Sequence, residues 1–323
     1  MRAVRVKQPG GPEVIELVET DEPTPGGGEL LVSVALAGVN YVDTYYRAGV
    51  YPKAAPFGLG AEGIGTVVEA GQDVTGFEAG DRVAWCDAPN SYAELVAVPA
   101  CRAVRVPAGI PDELAVGALL QGMTAHFLVD STYPVAPGES VLVHAAAGGV
   151  GLLLTQMAVK RGARVIGTVS TEEKAELARG AGAAEVIRYD RTEDLAAEVR
   201  ALTEGQGVPV VYDGVGRTTF DASLAGLRKR GTMVLFGAAS GPVPPVDPQR
   251  LNAGGSLYLT RPSLYHHIDT RAELDHHASA VFGAVLDGTL NIRVGHEYAL
   301  AEARQAHEDL QGRRTAGKLL LRV

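Results

Sequence analysis

Cysteine is almost absent: Cys86 and Cys101 are the two in 323 residues, too few for a disulfide framework or a cysteine zinc site. Long apolar runs are missing as well, none approaching the ~18 residues of a membrane helix, so no membrane association is expected. A basic surplus is lacking too. Net charge is −9 and the pI about 5.4, which argues against a general nucleic-acid surface. The opening Met1-Arg2-Ala3-Val4-Arg5-Val6-Lys7 alternates charged and apolar residues like a strand and has no secretory-leader core; a cytoplasmic location is expected. There is no internal repeat or low-complexity tract. What remains is an ordinary globular composition, 46% apolar and 21% charged, with length enough for two domains.

The most informative stretch runs from Ser140 to Ser170. Val141-Leu142-Val143-His144 reads as a buried strand, and Ala145-Ala146-Ala147-Gly148-Gly149-Val150-Gly151 as a glycine-rich turn. A helix from Leu152 to Arg161, ended by Gly162, and a second strand at Arg164–Val169 complete the unit. That is the layout of a dinucleotide-binding βαβ unit. Gly148 lets backbone approach a pyrophosphate, Gly151 lets the helix pack closely on the strand, and the helix start favours the anion. Ala146 stands where the first glycine of the fingerprint usually is, so the competing reading is a βαβ turn that binds nothing. The order strand, turn, helix, strand counts against it.

A second absence names the cofactor. An NAD site usually has an acid at the end of the second strand for the ribose 2′-hydroxyl; here Ser170 and Thr171 stand there. Glu172 and Glu173 fall in the next helix, where Ser170-x-x-Glu173 reads as a capping box. Lys174 is placed to reach a 2′-phosphate. Together they predict NADPH, against the alternative of Lys174 as a solvated surface lysine.

Residues 1–122 predict short strands between Gly and Pro turns, a β-rich, barrel-like domain. A helix from Pro111 to about Leu128 leads out of it. Residues 123–265 alternate strand and helix and predict a six-stranded doubly wound parallel sheet, with one helix from Thr218 to Lys229 closed by Gly231. Residues 266–323 return to helix and short strands, and Lys318-Leu319-Leu320-Leu321-Arg322-Val323 is expected to rejoin the first domain. The overall class is α/β, a Rossmann domain inserted into the β-rich one, with cofactor and substrate meeting in the cleft between them.

Six segments carry a resemblance: Gly38-Val39-Asn40-Tyr41-Val42-Asp43-Thr44-Tyr45, Gly60-Ala61-Glu62-Gly63-Ile64-Gly65, Ala79-Gly80-Asp81-Arg82-Val83, the His144–Gly151 turn, Val211-Tyr212-Asp213-Gly214-Val215-Gly216 and Thr260-Arg261-Pro262-Ser263-Leu264. In this order the chain resembles the medium-chain dehydrogenase/reductase superfamily, and within it the zinc-free quinone oxidoreductases related to zeta-crystallin. The resemblance implies a GroES-like catalytic domain and a Rossmann domain. Where the zinc branch has a cysteine this chain has Asn40, and where that branch has Gly-His-Glu it has Gly60-Ala61-Glu62. No catalytic metal is therefore expected.

By the same resemblance Asn40 hydrogen-bonds cofactor and substrate oxygen, and Tyr45 and Tyr51 line the cleft near the nicotinamide. Thr124, Ala147, Gly148, Gly149, Val150, Ser170, Lys174, Tyr189, Gly214, Phe236 and Gly237 are implied to hold NADPH, with Ser263, Leu264 and Lys318 as further candidates. A serine is common in relatives at the position of Gly214. The bland reading fits other features: Cys86 as a packed thiol, His144 as a structural residue ending its strand, and His266-His267 and His276-His277 as a solvated helical face. The expected activity is NADPH-dependent quinone reduction. Its alternatives are reduction of an activated C=C bond in an enal, enone or enoyl thioester, and a non-catalytic NADPH- or RNA-binding protein. The partners implied are a small quinone, no nucleic acid, and a second copy forming a homodimer, or a tetramer, through the edge strand Leu257-Tyr258-Leu259.

Overall fold

A computed structural model describes residues 1–323, which divide into two compact units, Met1–Gln121 with Ile268–Val323, and Gly122–His267. The first unit opens with β1 (Arg2–Val6), β2 (Ile15–Glu19) and β3 (Glu29–Val39), then α1 (Tyr41–Arg47), β4 (Phe57–Gly58) and β5 (Glu62–Ala70). After these come β6 (Arg82–Cys86), β7 (Leu95–Pro99) and β8 (Ala103–Arg105). The chain leaves along α2 (Asp112–Phe127).

The second unit alternates without exception: β9 (Ser140–Val143), α3 (Gly149–Lys160), β10 (Arg164–Val169), α4 (Glu172–Gly180), β11 (Glu185–Arg188), α5 (Leu195–Ala201) and β12 (Val208–Asp213). It continues with α6 (Phe220–Gly226), β13 (Leu227–Leu235), α7 (Gln249–Ala253) and β14 (Tyr258–Thr260). The return to the first unit supplies α8 (Arg271–Leu286), β15 (Val294–Ala299), α9 (Ala303–Gln311) and β16 (Lys318–Arg322).

In the first unit β3 is long enough to take three neighbours. Its first half pairs with β7 and its last four residues with β16, while β5 runs along its other side. Register shifts between Leu31 and Val32 and between Val34 and Leu36 bend it, as bulges do. The seven-stranded sheet has the order β15-β16-β3-β5-β6-β8, with β7 on β3, beside a three-stranded sheet β2-β1-β4. The closing Leu319–Leu321 run thus pairs with Ala37–Val39. Val4, Val32, Val67, Trp85, Tyr92 and Leu321 belong to the apolar core these sheets enclose.

The second unit is a parallel sheet of order β11-β10-β9-β12-β13-β14, the doubly wound Rossmann arrangement. Leu142, Ile166, Val211 and Met233 are central to its core. The predicted helix Thr218–Lys229 is instead the short α6 followed directly by β13. Gly231 lies within that strand, not at a helix end. A register shift between Val208 and Val210 on β12 accommodates the polar Arg228–Arg230 stretch, whose three charged residues read as a helix end in sequence.

The capping of α4 also differs from expectation. Thr171, not Ser170, is the N-cap, its hydroxyl accepting from Lys174 N at 3.2 Å. The histidine pairs do not share a solvated helical face. His266 and His267 sit in a 3-10 turn with the His267 ring stacked on Phe127 at 4.2 Å. His277 is buried on the inner face of α8 with Leu274, Ala278, Val281 and Phe282, an i, i+3, i+4, i+7 stripe.

Candidate active site

Because the second sheet is parallel, the carboxyl ends of its six strands open along one edge. Every implied cofactor residue of that unit except Thr124, which lies in α2, follows one of those ends: Ala147–Val150 after β9, Ser170 and Lys174 after β10, and Tyr189 after β11. Gly214 follows β12, Phe236 and Gly237 follow β13, and Ser263 and Leu264 follow β14. This is where ligands of such sheets bind.

The turn before α3 is tight. Gly148 N donates to Ala145 O at 2.8 Å, and Ala145 itself takes the left-handed conformation at φ 51°, a role usually given to glycine. A Cβ on Gly151 would overlap Ala145 O and lie 2.9 Å from Ala146 Cα, whereas one on Gly148 would meet only Ala145 O at 3.2 Å. Gly151 thus sets helix against strand, and Gly148 faces the open side. No side chain caps this end of α3, leaving its first amides for an anion. Gly214 has its own reason: a Cβ there would press 2.9 Å into the Phe236 ring.

In the first unit a polar cluster lies inside the sheet. Glu62 is fully buried, Lys318 is 1% exposed and Asn40 5%. The Lys318 ammonium is paired with Glu62 and donates to Asn40 Oδ1 at 2.9 Å. Asn40 Nδ2 donates to Glu62 Oε2 at 2.9 Å and to Gly38 O at 3.4 Å, and Gln121 Nε2 donates to Asn40 Oδ1 at 3.3 Å. Glu62 Oε1 accepts from Leu120 N at 2.7 Å. A Cβ on Gly38 would overlap Glu62 Oε2, so glycine there makes space for the pair.

Two donors and two acceptor sites of the Asn40 amide are therefore engaged within the unit. The expected hydrogen bonds from Asn40 to cofactor and substrate meet an amide already committed, and Lys318 turns inward rather than outward. The donor set does not suit a metal: an amide held by a lysine, Ala61 without a ligand atom, and a carboxylate already carrying an ammonium.

Asn40 also caps α1, its N–H donating to Asp43 Oδ2 at 2.9 Å. Asp43 accepts from Tyr92 Oη at 3.1 Å, Tyr92 Oη stands 3.4 Å from His307 Nε2, and Arg47 Nη1 lies 3.1 Å from His307 Nδ1. Burial pushes the Asp43 carboxyl up to about 6, and burial, helped by Arg47, pushes His307 down to about 3. This chain ties α1 to α9. Tyr45, at the far end of α1, packs edge-on to Tyr51 with ring centroids 5.3 Å apart, and Tyr46 packs on Tyr51 at 5.6 Å. The 48–51 loop folds back, Val50 N and Tyr51 N both donating to Tyr45 O. Tyr45 and Tyr51 are half-buried and adjacent. Cys86 is a packed thiol, fully buried, its pKa pushed well up by burial.

Sequence reasoning missed the Lys318–Glu62 pair and the Asp43–Tyr92–His307 chain. One signal existed: an acid heading Gly63-Ile64-Gly65 and a lysine heading Leu319-Leu320-Leu321, each about to enter an apolar strand, call for a partner.

Residues 26–112 match the alcohol dehydrogenase GroES-like domain, and residues 149–275 match the zinc-binding dehydrogenase domain. The chain is 45% identical over 314 residues to the quinone oxidoreductase of Pseudomonas aeruginosa, covering 97% of this chain and 96% of that protein. It belongs to the quinone oxidoreductase branch of the medium-chain dehydrogenases/reductases. Within that branch the solved Escherichia coli quinone oxidoreductase complexed with NADPH superposes with a TM-score of 0.98 at 41% identity, over all of both chains. The 2-haloacrylate reductase of a Burkholderia species is 40% identical over 99% of this chain and 98% of its own.

Proposed function

We propose that this quinone oxidoreductase family member reduces quinones with NADPH and without a metal. One observation carries the reading: of the positions where the resemblance puts zinc donors, 61 holds an alanine and 40 an asparagine whose amide is tied into a buried cluster with Lys318 and Glu62. The relatives' names support the substrate class and the cofactor. Bound NADPH supplies the hydride.

The chain's own part is to bind and orient. The amides at the start of α3 face the pyrophosphate, with Ala147, Gly148, Gly149 and Val150 lining it and Gly214, Phe236 and Gly237 beyond. Ser170, outside the α4 cap, and Lys174 take the 2′-phosphate, with Tyr189 beside them. The absence of an acid after Val169 removes the group that would repel it. Thr124, Ser263 and Leu264 complete the cofactor contacts. Tyr45 and Tyr51 stack against the quinone ring. Lys318, turned inward and paired with Glu62, is a positioning residue whose ammonium fixes the Asn40 amide from behind.

A second reading is favoured by the haloacrylate reductase relative: the same hydride delivered to an activated C=C bond. The protein works in the cytoplasm as a homodimer, a state supported by Tyr258, 61% exposed on the outermost strand. The test is NADPH oxidation, followed by absorbance, with ortho- and para-quinones, enones and haloacrylates, NADH in parallel. Turnover of quinones with NADPH preferred, and loss of that preference in Lys174→Ala, are expected. Turnover confined to the alkenes supports the second reading, and an NADH preference overturns the cofactor assignment.

A further inference from the structure

Beneath the strand ends of the second unit runs a buried hydrogen-bonded chain that none of these roles uses. His144 and Thr168 are each 1% exposed, and Asp213 and Ser223 are fully buried. His144 Nδ1 is 2.9 Å from Thr168 Oγ1 and its Nε2 is 2.9 Å from Ser223 Oγ. Ser223 Oγ donates to Asp213 Oδ2 at 2.8 Å, and Thr219 Oγ1 donates to the same oxygen at 2.7 Å. The other oxygen, Oδ1, accepts the amides of Val215 and Gly216 at 2.7 and 2.9 Å.

The carboxylate fixes the sense of every bond, since it only accepts. Ser223 gives its proton to Asp213, so its oxygen receives His144 Nε2–H, and the bare Nδ1 receives the Thr168 hydroxyl. Burial pushes the His144 pKa below its ordinary value, Asp213 opposing, and the ring is neutral. A serine, a histidine and an acid meet here, yet the serine proton points to the acid and the hydroxyl is sealed, so no nucleophile is made.

Position gives the chain its meaning. His144 immediately precedes the 145–151 turn, Thr168 stands two residues before Ser170, and Asp213 immediately precedes Gly214. His144 follows β9 directly, Thr168 is the penultimate residue of β10, Asp213 is the last of β12, and Ser223 ties in α6. We infer that His144, Thr168, Ser223 and Asp213 are positioning residues: one network, locked in a single tautomer by Asp213, sets the three strand-end segments that receive the dinucleotide. The inference rests on NADPH being the cofactor.

Asp213→Asn provides a readout that a merely space-filling role would not move. Its Oδ1 keeps the Val215 and Gly216 amides, and its NH2 faces Ser223 and Thr219. Ser223 then turns its proton to His144 Nε2 and the imidazole shifts to the Nδ1–H form. The experiment is 15N NMR of histidine-labelled protein, NADPH titration by fluorescence and thermal melting, on the wild type, His144→Phe, Ser223→Ala and Asp213→Asn. Expected are an Nε2–H tautomer at His144 in the wild type and Nδ1–H in Asp213→Asn. NADPH binding should weaken about tenfold or more in His144→Phe and Ser223→Ala and stay within about threefold in Asp213→Asn, which keeps every bond. If His144→Phe does not fold, Ser223→Ala, the loss of one oxygen, carries the binding arm. An Nδ1–H tautomer or an imidazolium in the wild type overturns the inference. So does wild-type affinity in Ser223→Ala. A wild type that binds no NADPH overturns the cofactor reading and the positioning role with it, whereas equal binding by wild type and variants overturns only the positioning role.

Discussion

Lys318 and Glu62 show what a buried charge costs and what it fixes. Each alone is expensive in an apolar sheet; together, with Asn40 and the Leu120 amide completing their bonds, they hold. Breaking one partner is worse than replacing both. Lys318→Met leaves Glu62 uncompensated and should lower unfolding free energy by about 3–5 kcal/mol, read as a shift of the urea midpoint. Lys318→Met combined with Glu62→Gln should recover most of that stability and none of the turnover. A single variant as stable as the wild type contradicts the pairing. The pair also marks the boundary of what was legible at this scale. The motif residues Asn40, Glu62 and Gly38 stood out, but that they converge on a lysine nearly 280 positions away is a consequence of β16 pairing with β3, which no local pattern encodes.

At the scale of elements, legibility followed contact distance. The glycine-rich turn, α3, and the alternation of six strands with helices in a parallel sheet depend on local periodicity and crossover rules, and the sequence carried them; the strand order came from the structure. The α6–β13 junction and the α4 cap went otherwise because pairing with β12 and a one-residue choice of hydroxyl decided them. The α1–α9 link was invisible for the same reason as the Lys318 pair, and it has a pH signature. The Asp43 carboxyl, moved from 3.8 up to about 6, binds its proton more tightly in the fold, so it weakens the fold as pH rises through that window. His307, moved from 6.5 down to about 3, binds its proton more weakly in the fold, so it weakens the fold as pH falls through its window. Between about pH 4 and 6 the two oppose each other. Asp43→Asn keeps an acceptor for Asn40 N–H and Tyr92 Oη and removes one side of the balance. The variant should lose ~2–3 kcal/mol relative to the wild type between pH 6 and pH 4. Chemical denaturation across that range checks it, and parallel pH profiles for the two proteins contradict it.

For the whole molecule one proposal governs the rest: a chain with Asn40 and Ala61 at the positions of the zinc donors, and Asn40 held by the buried Lys318–Glu62 pair, reduces its substrate with NADPH and without a metal. The sequence pointed to the missing donors at Asn40 and Ala61; the structure adds that the Asn40 amide is held by Lys318 and Glu62. The measurement that tests this most directly is NADPH-dependent quinone turnover by protein whose metal content is determined by elemental analysis, before and after exhaustive chelation, with Lys318→Met alongside. Full turnover at a metal content far below one per chain, no effect of chelator, and loss of turnover in Lys318→Met are expected. Turnover that tracks bound zinc, disappears on chelation and returns when zinc is restored would contradict the proposal.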